Sequence, residues 1–450
     1  MLHRGLILAI VALYAGCAPT GLSQSEAQQP AAAPIAVVAT ERERGIGDFP
    51  KLTADDWPWW RGPTRNGIAA ETPAPTFFSD QENVIWKTPL PGRGHSSPTI
   101  IGDRVYLATS EEPAQVQSVL AFDRRDGKPL WKTVLNTGGY AAAIHGNNTH
   151  ASPTIASDGE RLYAVFPHHD AAHATALDFD GKVVWQKSVA PFRPQRYEYG
   201  FAPSPVIYRQ YIIIATEFDG PSAITALDRT TGEIAWKTER PENISFSTPN
   251  VVPVGGRDQL VISGYDQIAS YDPRTGRPLW SAAGNTVATC GTVVWDGDVI
   301  LASGGYPRAE TTAVLGDGSA KVLWKNPQKC YEQSMIAYQG HLYALTDNGV
   351  LYCWRVSDGQ EKWKQRLKGP VSASPVLAGG HIYWANERGT HYVFKPNPDQ
   401  VELVAENTLG DESFASPAVS RGQLFFRVTH RIDGKRQEML YCIGMKKSDQ

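Results

Sequence analysis

The stretch ALDRTTGEIAWKT, residues 226–238, sets an apolar pair before Asp228, a Thr-Gly step after it, and Trp236 beyond the glycine. Asp228 is suited to accept backbone N–H groups inside a tight turn, and Gly232 to take the left-handed conformation. The flanking residues then read as two antiparallel strands, with Trp236 on the second carrying enough area to cover a seam. The stretch returns as AFDRRDGKPLWKT from Ala121, ALDFDGKVVWQK from Ala176, SYDPRTGRPLWS from Ser270 and CWRVSDGQEKWKQ from Cys353, with VLGDGSAKVLWK from Val314 as a degraded copy. The tryptophans of these copies (Trp131, Trp185, Trp236, Trp280, Trp324 and Trp363) recur at steps of about 39 to 54 residues, a period that marks a propeller or a solenoid. Trp86, in NVIWKTPL from Asn83, stands ahead of them. Polar residues that change from copy to copy point to construction rather than to repeated ligand-binding turns.

A second marker falls between each Trp and the next β-rich run: HSSPTI at His95, HASPTI at His150, APSPVI at Ala202, STPNVV at Ser247, SASPVL at Ser372 and FASPAV at Phe414. Weaker forms are CGTVVW at Cys290 and QSMIAY at Gln333. Eight markers predict an all-β, eight-bladed β-propeller of four-stranded antiparallel blades over residues 83–445. NVIWKTPL has no three strands before it, and the last unit ends at MLYCIG with no Trp strand after it. Pairing the two closes the ring and removes the exposed edges of an open array, whereas a solenoid would need capping units.

The 450-residue chain, with a formal net charge of -3 and 42% hydrophobic residues, is soluble and globular in composition and lacks the basic tracts a nucleic-acid partner requires. Residues 1–17 read as an export signal: His3 and Arg4 precede an apolar run, and Ala15-Gly16-Cys17 is similar to a lipoprotein box that would lipidate Cys17. Residues 18–47 read as a disordered tether and 446–450 as a tail. Residues 48–82, with Trp57, Trp59 and Trp60, read as a strap packed on the ring, the alternative being a sugar or peptide platform. Export leaves Cys290, Cys330, Cys353 and Cys442 free to pair in any of three ways.

The repeat resembles the quinoprotein-like (PQQ-binding-like) propellers, in ALDRTTGEIAW from Ala226 and SYDPRTGRPLW from Ser270 above all. WWRGPTRNG from Trp59 further resembles exported members from planctomycete-type bacteria. The resemblance implies one of two lines. One comprises oxidoreductases that bind pyrroloquinoline quinone (PQQ) and calcium inside the ring and stack the quinone on a disulfide of adjacent cysteines. The other is the lipoprotein scaffold that assists outer-membrane protein assembly. This chain has no Cys-Cys pair, which turns the expectation toward a non-enzymatic, exported scaffold with no cofactor. Such a scaffold would be periplasmic or lipid-anchored and would bind a protein, peptide or glycan of the cell envelope; the alternative is a PQQ-dependent periplasmic oxidoreductase.

In such a ring the links into each marker, and the hairpins between second and third strands, share one face, where loops on a rigid frame carry binding groups. The links contribute His95, His150, Tyr197, Glu198, Tyr199, Phe246, Tyr331 and Glu332 as candidate binding residues. The hairpin PHHDAAH contributes His168, His169 and His173, which with His150 are candidate metal ligands. HHDAAH lacks the general-base Glu of HExxH, and the chain shows no G-x-S-x-G elbow, CxxC pair or phosphate-cradling glycine loop, so no catalytic residue is assigned.

Overall fold

The computed structural model describes residues 45–69, 72–141 and 143–445. The signal segment, most of the tether, Cys17 and the tail lie outside these residues.

Each sequence unit forms one four-stranded antiparallel sheet, and the described residues contain eight. Blades 1 to 7 span residues 99–137, 156–191, 206–240, 250–283, 294–326, 336–366 and 376–408. Blade 8 combines three strands from the C-terminal end, Ala418–Ser420, Gln423–Ile432 and Lys435–Ile443, with Val84–Leu90 as its outer strand. Trp86 pairs with Cys442 across that closure. The ring is therefore an eight-bladed propeller closed by its two ends.

The repeated stretch explains each outer hairpin. In blade 3 the Asp228 Oδ1 accepts the N–H groups of Thr230 at 2.9 Å and Thr231 at 3.0 Å, and Gly232 donates back to the Asp228 carbonyl at 2.8 Å with φ +74°. The register slips by one residue between Ala226 and Leu227, a bulge that recurs at the corresponding place in each of blades 1 to 7. Trp236 then stands directly opposite Ala226. A small residue faces the Trp in the other copies too, as in Ala121–Trp131, Ser270–Trp280 and Cys353–Trp363.

The indole also crosses to the following blade. Trp185 Nε1 donates to the Arg229 carbonyl in blade 3 at 3.1 Å, and Trp131, Trp324 and Trp363 make the same bond to Phe179, Val356 and Asn397. A Cβ on Gly232 would lie 2.8 Å from the Trp185 ring, one on Gly276 2.4 Å from Trp236, and one on Gly359 2.6 Å from Trp324. Glycine and tryptophan of the motif are thus partners across a seam, each blade's Trp lying on the next blade's turn. Trp280 is an exception, because it bonds Gln259 of its own blade.

Residues 57–69 run across the ring at the far ends of the inner strands. Trp57 pairs with Ile100 of blade 1, and Pro58 accepts from Ser157 of blade 2. Arg65 donates to Ile207 of blade 3, and Asn66 to Trp295 of blade 5. Buried Arg61 donates to Met335 of blade 6 and Pro375 of blade 7, both at 2.6 Å. One short segment thereby ties together six blades through backbone groups their inner strands leave unpaired. Cys290, Cys330, Cys353 and Cys442 are all free thiols, so none of the three possible disulfide pairings forms.

Candidate functional site

Each inner strand is preceded by a hydroxyl residue two places before its first paired residue: Ser97, Thr154, Ser204, Thr248, Thr292, Ser334, Ser374 and Ser416. These form a girdle about the axis. The Ser97 N–H donates to Thr154 Oγ1 at 3.1 Å, Thr154 to Ser204 Oγ at 2.9 Å and Ser204 to Thr248 Oγ1 at 3.0 Å. The pattern resumes from Thr292 to Ser334 at 3.0 Å, then to Ser374 and to Ser416 at 2.8 Å each. In these six pairs the marker Ser or Thr thus satisfies the preceding blade's buried backbone donor, which is why the residue type recurs.

The residues two places earlier, His95, Ser152, Ala202, Phe246, Cys290, Glu332, Ser372 and Phe414, all line a cavity of about 360 Å³ above the girdle. Trp60 of the strap reaches its floor and donates Nε1 to Thr292 Oγ1 at 2.8 Å. On one side stand Tyr199, Phe246, Tyr306 and Tyr331. Tyr199 and Phe246 have ring centroids 6.0 Å apart, and Tyr197 backs the wall at 5.9 Å from Tyr199 and 6.1 Å from Tyr306. On the other side His95 stacks on Phe414 at 4.9 Å.

Charge is confined to one sector. Glu332 is open to the cavity but surrounded by protein, and this burial raises its pKa, with Glu387 and Asp347 adding to the effect. The Ser372 hydroxyl, which also reaches Glu332, donates to Glu387 Oε1 at 2.6 Å. Asp347 accepts from the Tyr331 N–H at 2.8 Å and pairs with Lys329 Nζ at 3.2 Å. Burial, followed by Glu332 and Asp347, pushes the Cys290 thiol well up, so it stays protonated. Burial and then Arg93, Arg427 and Arg436 hold the His95 imidazole well below its usual pKa, hence neutral. The lining can stack, exchange hydrogen bonds and offer a carboxylate.

Of the residues expected from sequence, His95, Tyr199, Phe246, Tyr331 and Glu332 meet in this cavity. Tyr197 stands behind the wall and Glu198 points to solvent. His150 does not join them. HASPTI is displaced by two residues relative to HSSPTI, because Ser152 bonds locally to Asn148 Oδ1 at 2.6 Å and Thr154 takes the girdle place. Ser152 therefore occupies the position of His95, and His150 stacks on Tyr140 at 4.0 Å outside the funnel.

His168, His169 and His173 are not brought together with His150 as a metal site. Among the described residues no group of three or more His, Cys, Asp or Glu is placed to hold a metal ion. His168 and His169 pack edge to face at 4.2 Å, and His173 lies 5.6 Å from His168. His169 and Asp170, at φ 47° and 58°, form the two-residue turn of a hairpin closed by His168 and Ala171. That geometry spends the HHD run on turning the chain. Sequence reasoning missed Tyr306, Cys290 and the floor position of Trp60. Counting two residues back from each marker would have found Cys290; Tyr306 and Trp60 carry no such signal.

The residues present do not fit PQQ with calcium. PQQ bears three carboxylates, whereas the cationic lining residue among those described is Lys329, already paired with Asp347, and Glu332 faces the same space. Six of the eight girdle hydroxyls accept a backbone N–H and Thr292 Oγ1 accepts the Trp60 indole, rather than being grouped as a cation's oxygen shell.

The family profile described as "Outer membrane protein assembly factor BamB" matches residues 78–220, 151–343 and 317–397, well over half of the chain. The chain belongs to this family. It is 24% identical over 346 residues to the outer membrane protein assembly factor BamB of Burkholderia pseudomallei, covering 68% of this chain and 85% of that protein. BamB from Moraxella catarrhalis superposes with a TM-score of 0.57 at 14% identity, over 82% of this chain and 98% of the other. The quinohemoprotein alcohol dehydrogenase of Comamonas testosteroni superposes with a TM-score of 0.60 at 13% identity, over 90% and 83%. Scaffold and oxidoreductase share the fold, so the fold alone does not divide them.

Proposed function

We propose that this protein is a non-enzymatic binding or scaffold module of the cell envelope, exported to the periplasm or anchored there by lipid on Cys17, that receives a segment of a partner protein in its funnel. The carrying observation is the wall of the cavity: Tyr199, Phe246, Tyr306 and Tyr331 beside hydroxyl and amide groups, with the thiol and imidazole of Cys290 and His95 both held neutral. Rigid aromatic rings give contact area at low entropic cost, and scattered hydroxyls adapt to polar groups, the composition of a recognition surface. The relatives named as outer membrane protein assembly factors support a protein partner over a glycan.

Trp60 supplies the test, because it lies on the cavity floor. Envelope protein fractions titrated onto the purified chain should change Trp60 emission and release heat, and Trp60→Phe should remove the optical signal while leaving the heat. No binding to any fraction, or a purified chain that takes up PQQ and calcium with a quinone absorbance, would overturn the reading.

A further inference from the structure

We propose that the funnel recognises an organic ammonium group, held between the faces of Tyr199, Phe246, Tyr306 and Tyr331 and the carboxylate of Glu332. This rests on the binding-module reading and names the chemistry of its ligand. Aromatic faces carry negative potential and attract a cation most strongly where water is excluded. Four such rings line one cavity with Glu332, and among the described residues no Lys or Arg forms an ion pair with that carboxylate. Its neighbour Ser372 is shared with Glu387. The Glu332 carboxylate is therefore left without an ion-pair partner among the described residues, the cavity's Lys329 being paired with Asp347.

Lys329 already illustrates the attraction. Its ammonium stands 5.5 Å from the Tyr331 ring centroid and 3.2 Å from Asp347 Oδ2. Of the other titratable neighbours, Glu387 and Asp347 are acidic, and His145, which lines the cavity edge-on to Tyr199 at 5.5 Å, favours the Glu332 carboxylate without an ion pair to it. A space of about 360 Å³ accommodates an ammonium on a short alkyl stem and is too small for a folded element. Anionic ligands would meet Glu332, and neutral ones would leave its charge uncompensated. Together with the proposed protein partner, these features assign the cation to a lysine side chain presented by an extended segment.

The test is calorimetry and Trp60 fluorescence on the purified chain with N-acetyl-lysine methylamide, N-acetyl-norleucine methylamide and tetramethylammonium. The lysine probe should bind about tenfold more tightly than the norleucine probe, the difference one good cation site supplies. Glu332→Gln and Phe246→Leu should each remove most of that difference while circular dichroism and melting stay as in the parent. Lysine binding tighter than tetramethylammonium supports a side-chain source. The reverse order moves the source to a small quaternary ammonium and overturns the lysine assignment. Equal binding of lysine and norleucine probes, no binding by either, or an unchanged preference in Glu332→Gln overturns the ammonium site, even if envelope fractions still bind. Probes that bind with the expected preference while every fraction fails would instead count against the partner-protein reading.

Discussion

Replacing Gly232 by alanine tests whether the repeated turn is the seal between blades. At φ +74° an alanine carries a left-handed penalty of about 1 kcal/mol. Its Cβ would also lie 2.8 Å from both Cδ2 and Cε3 of Trp185 and 2.9 Å from Lys187 Cγ. Trp185 is held by its bond to the Arg229 carbonyl at 3.1 Å, so the ring cannot retreat without losing the seam contact. Overpacking of this kind costs about 1 to 3 kcal/mol, for a combined loss of about 2 to 4 kcal/mol. Gly102→Ala is the control, because Gly102 has φ +56° and nothing within 4 Å of where the alanine methyl would stand. Gln339 and Arg421 occupy the equivalent turn in other blades at φ 49° and 51°, so the control should lose only about 1 kcal/mol. Urea midpoints with a shared slope give both values. In a Trp185→Leu background the Gly232→Ala loss should fall toward the control. Equal losses for Gly232→Ala and Gly102→Ala in the parent would refute the seam argument.

Arg61→Met should destabilise the protein by about 3 kcal/mol, since it strips donors from the buried carbonyls of Met335, Pro375 and Asn66. Hydrogen exchange should rise in residues 57–69, and unchanged protection there would contradict the strap's role in tying the blades. Buried His391, wedged between Phe78 and Phe426, has its pKa lowered to about 4 by burial. Its folded pKa lies below the unfolded value, so stability is full above the unfolded pKa and lost as pH falls toward the folded one. At pH 5 the loss from this group is about 2 kcal/mol, and His391→Phe should flatten the melting curve against pH between 7 and about 4.5 by that amount. A variant with the parent's slope would show that His391 is not responsible. The four described thiols are free, so a reductant should leave the melting temperature unchanged, and alkylation of Cys330, Cys353 and Cys442 should require unfolding; a reductant-dependent shift would mean that a disulfide forms.

The blades were legible because their chemistry is local and repeated. Asp228, Gly232 and Trp236 lie within one hairpin, and the turn, bulge and ring position follow from their spacing. Ring closure was legible for a related reason, since a lone Trp strand at one end and a missing one at the other are complementary. The funnel was half legible. His95, Phe246, Tyr331 and Glu332 could be found because each stands near a marker, whereas Tyr306 comes from a hairpin and Trp60 from the strap. His150 misled because HASPTI and HSSPTI are alike as strings, and only the local bonds of Ser152 reveal the displacement of two residues.

By itself the sequence determined the ring: number of blades, strand order within each, and the residues that form the outer turns of the first six blades, because periodic burial and turn chemistry act over a few residues at a time. Only the tertiary structure decided what faces the axis. Eight inner strands converge there from positions far apart in the chain, so a shift of two residues in one blade exchanges a histidine for a serine in the wall. The same convergence sets Glu332 and its neighbour Tyr331 against Tyr199 and Phe246 from other links and Tyr306 from a hairpin, a juxtaposition no local pattern encodes.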